Sequence, residues 1–76
     1  GMYIYSLNID CVGYDTYDAH IVVANTEQEA RQLASEDKQR CEGARVWLKS
    51  AIVTLEGTYT GTEVKPHIIC SSFNAG

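Results

Sequence analysis

Five side chains of this chain could ligate a soft or borderline metal ion: Cys11, His20, Cys41, His67 and Cys70. Tetrahedral zinc sites draw their ligands in pairs a few residues apart, because a tight turn must aim both at one ion. No Cys pair here has that gap. His67 and Cys70 are three apart, and regular strand alternation sends such residues to opposite faces. Separate thiols and imidazoles are therefore expected, with no metal and no cofactor. A Cys–His nucleophile pair is available if Cys70 meets His20 from a neighbouring strand, but no helix N-terminus adjoins a cysteine to favour its thiolate. Asp10, Asp15 and Asp18 surround one turn and could chelate a hard cation. Aspartates in turns more commonly bond their own backbone, and that is the reading adopted. Phosphate loops, dinucleotide fingerprints, nucleophile elbows and HExxH strings do not occur. A non-enzymatic protein is expected.

Composition narrows the partners. Six Lys and Arg against ten Asp and Glu leave a formal charge of −4, and the basic residues Arg31, Lys38, Arg40, Arg45, Lys49 and Lys65 are dispersed. Nucleic-acid binding needs a basic stripe, so none is expected. An odd number of well-separated cysteines suits a reducing compartment and small buried thiols better than a disulfide framework. No apolar run is long enough for a membrane span. A cytoplasmic protein without membrane contact follows as the expectation, with Gly1 read as a tag remnant, Met2 as the natural start and residues 2–76 as one small domain.

One segment must organise the rest. Thr26 to Arg40 reads as a single amphipathic helix, with Thr26 as N-cap and Glu29 placed to reach back to the Thr26 amide in a capping box. Ala30, Leu33 and Ala34 share one face. Glu27 with Arg31, and Glu36 with Arg40, form acid-first i,i+4 pairs, and Gly43 suits the C-terminal turn. So thin an apolar seam cannot stabilise an isolated helix. It needs a flat surface that allows close approach, which a sheet provides.

The strands are legible by alternation and β-branching. Met2 to Asp10 alternates, with Tyr3, Tyr5, Leu7 and Ile9 on one side. After a turn through Gly13 to Asp18, Ala19 to Ala24 runs back as its hairpin partner. Arg45 to Leu48 is a short apolar patch, strand or loop, whose Trp47 is expected to close one end of the core. Ala51 to Glu56 is strand-like, ended or bulged by Gly57. Pro66 closes a polar loop, and His67 to Phe73 forms the last strand. Its unbroken Ile68-Ile69-Cys70 run suggests burial on both faces and a central place.

The order strand, strand, helix, strand, strand predicts a two-layer α+β domain: a four-stranded mixed sheet with one helix on one face. Its topology resembles the β-grasp arrangement, in which the first and last strands are central, parallel neighbours. That resemblance brings ubiquitin-like modifiers and sulfur carriers into view as an alternative function, although the chain ends Ala75-Gly76 where those proteins need Gly-Gly. One helix leaves the other sheet face uncovered, with His20, Val22, Thr54 and Ile68 expected there. Self-association through that face or an edge is a further expectation.

Function is expected to reside in contact. Tyr14, Tyr17 and His20 form the candidate interaction surface, since exposed aromatics around a turn suit protein recognition. The tail Ser72-Phe73-Asn74-Ala75-Gly76, with Trp47 and the Thr26 to Arg31 helix start, resembles small bacterial and phage proteins that end in a similar string. No activity carries over from them. A protein-interaction module or accessory protein of bacterial or phage origin, acting on a protein partner and able to form a homodimer, is the leading reading; a small thiol- or metal-dependent enzyme is a third.

Overall fold

The computed structural model describes residues 1–10, 16–36 and 45–74, without the side chains of Thr16, Phe73 and Asn74. Four strands and one α-helix follow in the order β1 (Tyr3–Asn8), β2 (Thr16–Ala24), α1 (Glu27–Glu36), a π-helical turn (Val46–Ser50), β3 (Ile52–Thr58) and β4 (His67–Asn74). The fold is α+β. The sheet order is β3-β1-β2-β4, and every pairing is antiparallel.

This corrects the expected mixed sheet. The helix joins β2 to β3, which run parallel to each other because both are antiparallel to β1, but β1 lies between them and no parallel ladder forms. Likewise β2 separates β1 from β4, so the central parallel pair of a β-grasp is absent. The expected ββαββ sequence also gains an element, since residues 46–50 form a helical turn rather than a strand or loop. β4 is an edge strand, not a central one.

Local signals explain the helix start. Thr26 Oγ1 accepts the Glu29 amide at 3.1 Å, and the Thr26 carbonyl accepts the Ala30 amide at 3.1 Å, as an N-cap should. The returning carboxylate goes one residue further than the capping-box pattern: Glu29 Oε1 accepts the Asn25 amide at 2.7 Å and its side-chain Nδ2 at 3.0 Å. The Glu27–Arg31 pair forms, with Arg31 Nε donating to Glu27 Oε2 at 3.1 Å. Arg40 and Gly43 lie outside the described residues.

The core sits between α1 and one sheet face. Tyr5 and Leu7 of β1 stand directly across from Val22 and His20 of β2, so all four share that face. Ala30 and Ala34 are fully buried against it, and their lack of bulk is what allows helix and sheet to approach. Trp47, 0% exposed, fills the space beside the helix, where one large aromatic supplies area that alanines cannot. Arg31 ties the two helical pieces together, its Nη1 donating to the Trp47 carbonyl at 3.2 Å.

The expected uncovered face needs a correction too. His20, Val22 and Ile68 lie on the helix side, since Val22 pairs with Tyr5 and Ile68; only Thr54, paired with Ser6, takes the opposite side. That side is itself partly closed. Val23, on it by alternation, is fully buried, and its neighbour His67 carries the ring of Tyr59 edge-on at 5.5 Å. Ser6 Oγ donates to Glu56 Oε2 at 2.6 Å there, linking β1 to the β3 edge.

Three irregularities set the faces. Ile4 opposes Gly57 while Tyr5 opposes Leu55, leaving Glu56 as an extra residue beside the glycine. Asp18 is extra between Tyr17 and Ala19, and Ile69 between Ile68 and Cys70.

Candidate functional site

The Ile69 irregularity changes where the chemical residues fall. With it inserted, His67 opposes Val23 and Cys70 opposes Ile21, so the two share the face away from α1 rather than taking opposite faces. Among the described residues no group of three or more His, Cys, Asp or Glu side chains converges. Cys11 and Cys41 lie outside the described residues, as do Asp15 and Tyr14. Cys70 is exposed with a free thiol, unlike the small buried thiols expected.

The Cys70–His20 pair is not assembled. His20 points to the helix side and is 0% exposed, whereas Cys70 is on the other face by register. The partner of His20 is the next residue: Ser71, directly across the β2–β4 ladder, brings its Oγ to 2.6 Å from Nδ1 of the imidazole. Trp47 meets the same ring edge-on at 4.5 Å, and Tyr17 lies over it at 5.5 Å with a 32° tilt. A serine so close to an imidazole satisfies one distance criterion for nucleophile activation. The ring, however, is enclosed by two aromatics in the main core. The serine gives a buried polar nitrogen its hydrogen bond.

Of the expected contact residues, then, His20 is buried in the core. Tyr17 is half-buried, with its ring against that histidine. The sequence pattern of β2 could not show this, because the Asp18 bulge turns Tyr17 onto the same face as His20.

What the surface offers instead is the margin of β4. Cys70, Ser71 and Ser72 are consecutive and all exposed, and Ile69 is 49% exposed on the bulge. Beside them a shallow recess of about 220 Å³ is lined by Ala19, His20, Ile21, Cys70, Ser71 and Ser72. A larger recess, about 390 Å³, lies near the end of β1, bounded by Asn8, Ile9, Asp10, Val46, Ser50 and Ile52. Among the described residues of that lining, Asp10 is the one carboxylate. Neither Ser72 nor Ile69 was singled out as a contact residue from the sequence. The available signal was that no residue of His67–Asn74 is Asp, Glu, Lys or Arg.

No helix among the described residues is long and apolar enough to cross a membrane. No protein-family model, curated protein or solved structure matches the chain.

Proposed function

We propose that this chain is a non-catalytic protein-contact module of a bacterial or phage cytoplasm, acting through the outer margin of β4. The observation that carries the reading is an edge strand whose exposed residues Cys70, Ser71 and Ser72 include no charge and adjoin an apolar-walled recess. Proteins usually blunt such an edge with Lys, Pro, a bulge or a covering loop; here Lys65, Pro66 and the Ile69 bulge stand at the start of β4, and Cys70–Asn74 beyond them carries no Lys and no Pro. An extended segment of another chain can add to it by main-chain hydrogen bonds, with side chains reading the recess.

The modifier reading loses its structural basis, because β1 and β4 are not neighbours. The thiol-enzyme reading loses its candidate base, since His20 serves Ser71 on the other face. The test is affinity capture from a bacterial lysate with wild type, a C70K/S72K variant charged at the β4 margin, and Leu55→Lys on the opposite edge strand. A protein retained by wild type and L55K but lost by C70K/S72K is expected. Equal retention by all three, or by none, overturns the reading.

A further inference from the structure

We propose that one occupant of the β4 margin is a second copy of this chain, paired antiparallel to β4 so that two four-stranded sheets become one continuous sheet. This deepens the contact reading above and rests on it.

Charge selects the occupant. For a chain of net charge −4, a contact with its own copy avoids like-charge repulsion most simply where the contact holds no acidic group. β3, the other edge, carries Glu56. β4 carries no Asp, Glu, Lys or Arg, so two copies can meet there without placing like charges opposite each other. Only β1, of the remaining strands, is equally free of charge, and β1 is interior with a strand on each side. β4 thus has the makeup of an interior strand while standing at an edge, and pairing with a copy gives it two neighbours.

Geometry agrees. The irregularity at Ile69 distorts the start of β4, but Cys70–Asn74 beyond it opposes β2 without a further extra residue of its own. That is about five residues, an ordinary strand length. An antiparallel strand is complementary to itself under a twofold axis, so a single patch suffices and the contact closes as a dimer rather than propagating. The exposed Cys70 and Ser72 stand on the same face of β4, and in the continuous sheet the copy's Cys70 and Ser72 come to lie beside them across the new ladder.

The purified full chain is measured by sedimentation equilibrium under reducing conditions, at concentrations up to about 500 µM. Wild type and L55K are expected to reach the dimer mass, and Ser72→Lys to remain a monomer with an unchanged circular-dichroism spectrum. Mixing S72K with Ser72→Glu restores the dimer, because unlike charges then meet across the twofold. A wild type that stays monomeric throughout overturns the proposal, as does an L55K variant as monomeric as S72K, or a mixture that fails to recover the dimer mass. Because no second protein is present, a negative result here leaves capture of a different partner from lysate standing, and the two failures are separable.

Discussion

Ser71 Oγ and His20 Nδ1 meet at 2.6 Å across the β2–β4 ladder, and this bond joins the outer strand to the centre of the core. The two residues are 51 apart in the chain, so the contact reports closure of the whole sheet. Whichever of the two atoms donates, the partnership keeps a fully buried imidazole nitrogen from being stranded.

Ser71→Ala removes that partner and adds nothing in its place. A buried polar group left unsatisfied costs about 1–3 kcal/mol, so the variant is expected to fold with a melting temperature lowered by several degrees. Thermal unfolding followed through the buried Trp47 is the measurement. An unchanged melting temperature would remove the bond from the list of contacts that hold β4.

Arg31 divides its guanidinium between Glu27 Oε2 and the Trp47 carbonyl, at 3.1 and 3.2 Å. Lysine keeps the charge but lacks the planar fork that serves two acceptors at once. Arg31→Lys is expected to cost about 1 kcal/mol, chiefly through the carbonyl bond, because the carboxylate of Glu27 is mostly exposed and such pairs contribute little. Glu27→Gln should therefore cost clearly less than R31K in urea titrations. The reverse order would make the ion pair, and not the link to the π turn, the important contact.

Gly61 lies under the ring of Tyr59, where an added methyl would run into the Oη, Cζ and Cε1 atoms. The ring cannot swing away freely: its hydroxyl accepts the Glu63 amide at 3.2 Å, and its edge meets His67. Gly61→Ala must displace the ring from its bond to the Glu63 amide and is expected to destabilise by about 0.5–1.5 kcal/mol, the net worth of one hydrogen bond. Pairing it with Tyr59→Ala in a double-mutant cycle should recover most of that penalty, and strict additivity would show that ring and glycine do not interact.

The fold class and the helix start were readable from sequence because they depend on local rules. Alternation at Tyr5 and Leu7, the Thr26 cap, and the Ala30–Ala34 seam are decided by the residues themselves. Strand order was not, since inserting β1 between β2 and β3 changes no local pattern. The Ile68-Ile69-Cys70 run misled for a related reason. Unbroken apolar residues imply two buried faces only in regular alternation, and here Ile69 is an extra residue at an edge. The same bulges put His67 and Cys70 on one face and Tyr17 beside His20, which counting residues along an ideal strand cannot reveal. The contact margin was legible only as the absence of charge in the last strand.

The two outer strands share one further property, which concerns time rather than energy. Ser6 reaches Glu56 across 50 residues and His20 reaches Ser71 across 51, so β3 and β4 each find their place only after a long stretch of chain has closed, while β1 and β2 are sequential neighbours. Domains dominated by such distant pairings fold in milliseconds to seconds rather than microseconds. Refolding of this small chain should accordingly be slow for its size. During that interval the inner hairpin stands with bare flanks, and newly made molecules are at their most vulnerable to sticking together in unintended ways.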